Sequence, residues 1–238
     1  MTADSAHGEL VSANGALSPA DAITANVSFY RSAANGEQAG GDWCEAFALS
    51  GDVFAVTIGD VAGHGKSGAD TMAVMRTAIM RAMHDTNDPS EVLRRVNGVA
   101  CRWGDGILVT AIVAIIDIRT QTITFANAGH PSPLLLTGEG HAFLGEPPAD
   151  LPLGLFPHHR AANYVVALPP GALLVFYTDG ITEHDHDPIR GEAELVEAAR
   201  FAYDRAEINV ARSIAHHVFG KLRGADDAAA IAFRFECA

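Results

Sequence analysis

Four aspartate positions stand at the ends of apolar runs, each with glycine beside or near it. They are Asp42 in GGDW, Asp60 in TIGDVAGHG, Asp179 in FYTDG, and Asp226, the first of an Asp226-Asp227 pair ahead of the last apolar stretch. Taken singly, each is an ordinary turn residue. Together they offer oxygen ligands without His or Cys, a set that suits hard cations such as Mg²⁺ or Mn²⁺. Carboxylates gathered without a cation would repel one another and hold on to protons, so a shared ion is the economical account of such a cluster.

The same loop carries a second motif, Gly65-Lys66-Ser67, opening a helical pattern. A phosphate-cradling loop of the form G-x-x-x-x-G-K-[ST] needs glycine at position 60. That position is Asp60, and a carboxylate there would repel the phosphate. A P-loop NTPase is therefore the weaker reading. His64, four places after Asp60, reads as a structural residue of the loop, capping the following helix or bonding the loop backbone, rather than as a general acid, since this spacing does not establish reach to a leaving-group oxygen. The run EHDHD at 183–187 reads as a solvated loop, His130 as part of a turn between strands, and Trp43 and Trp103 as packing residues.

Strands must hold these aspartates. Apolar runs begin at Val53, Ile107, Thr122, Pro133, Tyr164, Ala172 and Ala230, and most are apolar at successive positions, as strands covered on both faces require. Met72, Met75, Ile79 and Met83 recur at helical spacing, Asp88-Pro89-Ser90-Glu91 starts a capped helix, and two more helical stretches span about 192–203 and 208–222. The helices come in pairs rather than after every strand, so a doubly wound parallel sheet is excluded. The expected fold is α+β: a central β-sandwich of two mainly antiparallel sheets flanked by helices. Residues 1–24, rich in Ala, Ser, Gly and Asn, read as a loose lead-in, and 25–238 as one domain.

Bulk properties narrow the partners. With 29 acidic and 16 basic residues the formal charge is −13 and no basic run occurs, which argues against nucleic acid or an anionic membrane surface. The three cysteines, Cys44, Cys101 and Cys237, form no CxxC pair and fit a reducing cytoplasm. No leader-like N-terminus or membrane-length apolar run is present in the sequence.

The motifs GGDW, GDVAGHG, NAGHPSPLLL, LPLGL, LPPGALLVFYTDGITE and DDAAAIAF occur in the order seen in one family. The chain resembles the bacterial SpoIIE/RsbU-type branch of the PPM (type 2C-like) metal-dependent serine/threonine phosphatases, from about residue 29 to 235. The resemblance implies a β-sandwich with two Mn²⁺ or Mg²⁺ ions at one end. Carried over by position, Asp60 would bridge the ions and the Val61 carbonyl would also ligate. Asp179 and Asp226 would complete the other metal's site, Asp42 would ligate directly or through water, and Asp227 would support from behind. Asp60 and Asp179 are thus the expected catalytic residues. Relatives act on phosphorylated STAS-domain proteins, such as anti-sigma factor antagonists and stressosome components, in partner-switching stress responses; a regulator acting in trans is also implied. A departure is Ala229, where the family often carries Thr. The alternative in another class is a PPM-fold binding module without turnover.

Overall fold

The computed structural model describes residues 9–16, 23–31, 40–63, 65–104, 106–145, 150–183, 186–219 and 228–235. Two sheets make the centre. The first has the strand order β1 (Glu9–Ala16), β2 (Ile23–Arg31), β11 (Ala228–Phe235), β10 (Leu173–Tyr177), β7 (Leu134–Leu136) and β8 (His141–Phe143). The second runs β3 (Trp43–Ser50), β4 (Val53–Val61), β5 (Val109–Asp117), β6 (Thr122–Ala128) and β9 (Asn163–Ala167). Every pairing within them is antiparallel. The α+β sandwich expected from the doubly apolar strands is the observed fold.

Burial on both strand faces explains those apolar runs. Val56 and Ile58 of β4, Ile112 and Ala114 of β5, Leu174 and Phe176 of β10, and Ile231 and Phe233 of β11 fill the layer between the sheets. The alternate residues of β4 and β5, among them Ala55, Val61, Val109 and Val113, face outward. There they pack against Met75 and Ile79 of α1 (Gly65–Asp85) and Val92, Leu93 and Val96 of α2 (Pro89–Trp103). On the other side, Leu173, Val175 and Tyr177 of β10 lie under α3 (Pro188–Asp204) and α4 (Val210–Phe219). Each fully buried Ile, Leu or Phe contributes roughly 1.5–3 kcal/mol of transfer free energy, so the layer between the sheets and the two helical covers are each substantial.

Local chemistry sets the helix starts. The Asp88 carboxylate accepts the Glu91 N–H at 3.3 Å, and Pro89 occupies a first-turn position where no N–H is needed. Asp187 does the same for α3, accepting the Arg190 N–H at 3.2 Å with Pro188 behind it. The part of EHDHD that is described is therefore not merely a solvated loop, because its last residue is a helix cap. β1 lies within the stretch read as a loose lead-in. Its sequence ELVSANGA carries no apolar alternation, and among the described residues its backbone pairs with β2, at the sheet edge.

Candidate metal centre

The two-residue period of the strands delivers the site. In β3, Cys44 and Ala46 point into the layer between the sheets, so Asp42, two residues ahead of Cys44, continues that row at its end. In β4 the inward row Val56, Ile58 continues to Asp60. In β10 the row Leu174, Phe176 continues to Thr178, and Asp179 follows in a single 3₁₀ turn, Asp179–Ile181. Trp43 pairs with Gly59, which sets Asp42 beside Asp60. Three rows from two sheets thus end at one mouth of the sandwich.

The carboxylates there feel one another. The Asp42 carboxyl is held well above the usual carboxylate range, first by withdrawal from water, then by the negative charge of Asp60, with Asp179 adding to it. Opposing these, the Thr178 hydroxyl donates to Asp42 Oδ2 at 2.7 Å. That hydroxyl also accepts the Ala229 N–H at 2.9 Å, while the Thr178 N–H donates to the Ala229 carbonyl at 3.0 Å. Thr178, fully buried, therefore ties the Asp42 carboxylate of one sheet to β10 and β11 of the other. Ala229, where relatives often carry Thr, takes part through its backbone.

The cradle beside these carboxylates is shaped by a missing side chain. A methyl at Gly41 would sit 2.7 Å from the Val61 carbonyl oxygen and 3.0 Å from Asp60 Oδ1. Those two oxygens are the ones expected to face a cation, and both open onto the space that glycine leaves. At Gly59 a methyl would fall 2.2 Å from the indole of Trp43, which packs across the strand with its N–H donating to the Thr57 hydroxyl at 3.0 Å. Trp43 is the packing residue it was expected to be.

Asp42, Asp60, Val61 and Asp179 are thus brought together. Asp226, Asp227 and His64 lie outside the described residues, and among those described no group of three or more His, Cys, Asp or Glu side chains closes into a metal cage. The donor set nevertheless fits a hard cation: oxygen ligands only, mutually repelling, at the end of a rigid sandwich. Lys66 is not part of it. Its ammonium, almost fully exposed, bonds the Asp70 carboxylate one turn along α1 at 2.5 Å. The strand before that loop also sits in an antiparallel sheet, where a P-loop belongs to a βαβ unit.

Two residues of the site gave little signal in the sequence. Thr178 was visible only as a hydroxyl closing an apolar strand. His130 lies in the turn between β6 and β7, as expected, but is buried beneath the site, its Nδ1 2.8 Å from the Thr110 hydroxyl. The Asn127 amide holds its backbone, donating to the His130 carbonyl at 2.8 Å and accepting its N–H at 2.7 Å. Burial pushes the imidazole down to about 3, with the Tyr177 backbone opposing, so it is neutral at physiological pH.

The sequence model described as Stage II sporulation protein E (SpoIIE) matches residues 50–236, most of the chain. The chain belongs to the SpoIIE family. It is a SpoIIE/RsbU-type PPM phosphatase domain by descent, as its motifs led one to expect. Among curated relatives it is 26 % identical to Protein IcfG of Synechocystis, over 60 % of this chain and 27 % of IcfG. It is 25 % identical to phosphoserine phosphatase RsbU of Bacillus subtilis, over 62 % of this chain and 44 % of RsbU. It spans less than half the length of either relative. The solved RsbU and RsbW domains of Rv1364c from Mycobacterium tuberculosis superpose with a TM-score of 0.79 at 27 % identity, covering 90 % of this chain and 62 % of that one.

Thr178→Val removes the hydroxyl while keeping the shape, leaving the Asp42 carboxylate without its donor. The expected result is a loss of about 1–3 kcal/mol of stability, the cost of an unsatisfied buried group, together with weaker Mn²⁺ binding by about 10–100-fold. Thermal denaturation and Mn²⁺ calorimetry check the two parts separately.

Proposed function

We propose that this SpoIIE-family domain is a Mn²⁺- or Mg²⁺-dependent phosphoprotein phosphatase that hydrolyses phosphoserine or phosphothreonine. Its substrate is a STAS-domain regulator, an anti-sigma factor antagonist or stressosome component, in a bacterial partner-switching stress pathway. The observation that carries this reading is the gathering of Asp42, Asp60 and Asp179 within electrostatic reach of one another, with Asp60 Oδ1 and the Val61 carbonyl facing the space left open by Gly41. The named phosphoserine phosphatase RsbU among its relatives supports the reaction class.

Asp60, the Val61 carbonyl, Asp179 and Asp42 would hold two cations, with Asp226 completing the set. The bound metals supply charge neutralisation of the phosphate and a hydroxide-like water near neutral pH. The chain's own part is positional. β4 fixes Asp60 by pairing with Thr110, the 3₁₀ turn after β10 fixes Asp179, and the Thr178 hydroxyl holds Asp42 Oδ2. The rigidity of these strands keeps the attacking and leaving oxygens in line, which is where rate is gained when no covalent enzyme intermediate forms. His130, neutral and enclosed, is not a proton donor to the leaving oxygen; it bonds Thr110 beside Asp60's strand. The protein acts in the cytoplasm, and among the described residues no helix is long and apolar enough to cross a membrane.

The test is phosphate release from a serine-phosphorylated STAS-domain protein, titrated with Mn²⁺, for wild type, Asp179→Ala and Lys66→Ala. Mn²⁺-dependent release lost in Asp179→Ala and kept in Lys66→Ala is the expected outcome. Release that survives Asp179→Ala, or that depends on Lys66, would sink the assignment.

A further inference from the structure

Ten large hydrophobic side chains are exposed among the described residues, and five of them fall in two short segments that touch each other. Trp103 (49 % exposed) ends α2 and Leu108 closes the connection from it to β5; Leu151, Leu155 and Phe156 (53 %) belong to the loop that leads to β9. Singly exposed apolar residues are unremarkable, but a contiguous set is a mark of an interaction site.

The loop is bolted down. Leu153 and Val109 exchange backbone hydrogen bonds of 2.8 and 3.2 Å. Gly154, at a φ of +90°, runs so close to the Ile107 carbonyl that a methyl there would approach it to 2.1 Å. The buried Asn97 side chain accepts the Gly154 N–H at 2.9 Å and donates to the Phe156 carbonyl at 2.8 Å. A backbone held at this many points presents Leu155 and Phe156 in fixed positions, so little ordering entropy is lost when a partner covers them.

The patch adjoins the site. The Leu108 carbonyl accepts the N–H of Ala62, the residue after Val61, at 2.9 Å. β5 begins and β6 ends at the same mouth of the sandwich as Asp60, and the loop carrying Leu151 packs there through Pro152 against Gly129. A folded protein that brings a phosphorylated residue to Asp60 therefore has this rim close beside its own surface.

We infer that Trp103, Leu108, Leu151, Leu155 and Phe156 form the docking surface for the phosphoprotein substrate, taking an apolar surface beside its phosphorylated residue. This rests on the phosphatase reading above. Charge supports the choice of an apolar contact. The chain carries a formal −13, so its net charge does not draw in a phosphorylated partner over long range, and apolar burial on this rim is a short-range source of affinity.

The test compares two substrates at saturating Mn²⁺: a serine-phosphorylated STAS-domain protein and p-nitrophenyl phosphate, which is too small to touch the patch. Trp103→Ala and Phe156→Ala are expected each to raise KM for the phosphoprotein about tenfold, the scale of an aromatic contact residue. Turnover of p-nitrophenyl phosphate stays at the wild-type level. Ile208→Ala, an equally simple truncation of an exposed residue outside the patch, changes neither. If both substrates suffer alike, or the phosphoprotein is unaffected, or Ile208→Ala has the same effect, the docking surface is refuted while the phosphatase stands. Wild type that hydrolyses p-nitrophenyl phosphate but not the phosphoprotein overturns the docking surface together with the STAS-substrate reading. Wild type that hydrolyses neither overturns the phosphatase reading itself, and the docking surface with it.

Discussion

Asp60→Asn is expected to lower Mn²⁺-supported turnover of p-nitrophenyl phosphate by about a thousandfold while leaving the metal-free protein at least as stable as wild type. The variant keeps the shape of the side chain and loses its charge. A metal supplies several kcal/mol of charge stabilisation to such a transition state, and each 1.36 kcal/mol is a factor of ten in rate. Without metal the same charge works against the fold. Asp60 is the neighbour whose negative charge most raises the Asp42 carboxyl, so removing it relieves a repulsion. A residue that merely braced the strand would show the opposite pattern, with stability lost and rate falling in proportion. The paired measurement is a Mn²⁺ titration of turnover beside a thermal melt in chelator. Near wild-type turnover at limiting Mn²⁺, or a clearly lowered melting temperature in chelator, would count against the site.

Much of this arrangement was legible in the sequence because it rests on local signals. β4, β5, β10 and β11 are largely apolar on both faces, and only a strand between two covered layers requires that. α2 is marked by Asp88 and Pro89, and α1 by its methionine and isoleucine stripe. The two N-terminal strands were hidden for the converse reason. ELVSANGA and ITANVSFYR have no run of the kind that the central strands show; β2 takes its place in the sheet by pairing with β11, almost the whole chain away, and β1 lies at the edge beyond it. β8, three residues long and mostly exposed, offers too few positions for any periodicity to show.

The site divides along the same line. Asp60 and Asp179 are visible because each ends an apolar run beside glycine, and Asp42 because it follows a glycine pair just ahead of one. What makes them a site is not local. Thr178 meets Asp42 across 136 positions of sequence, and no spacing rule connects them; only the strand rows, carried two residues past the last core side chain, bring the hydroxyl to the carboxylate. His130 was read as a turn residue, which it is, but its burial under Thr110 follows from β6 returning beside β5, a fact of topology. The exposed apolar rim at 103–108 and 151–156 has the same character. Its two halves are unremarkable loops until Asn97 and the Val109–Leu153 pairing join them.

Gly41→Ala tests how much of the centre depends on space alone. The backbone at Gly41 is not in the left-handed region, so the added methyl brings no conformational strain of its own. It brings a collision, 2.7 Å from the Val61 carbonyl oxygen, 3.0 Å from Asp60 Oδ1 and 3.2 Å from the Val61 side chain. Val61 cannot give way easily, being buried and paired with Val109 across the sheet. The Asp60 carboxylate, the free end of a side chain, can swing aside, and that is the movement that takes it out of the site. The cost to folding is therefore moderate, about 1–3 kcal/mol as for other overpacked positions, while Mn²⁺ affinity and turnover each fall by about 10–100-fold. Gly138→Ala, in open space with no neighbour within 4 Å, is the matched substitution that should change neither. Unaltered Mn²⁺ affinity by calorimetry in Gly41→Ala would show that the cradle tolerates a methyl and that the Val61 carbonyl and Asp60 Oδ1 do not face the metal across it.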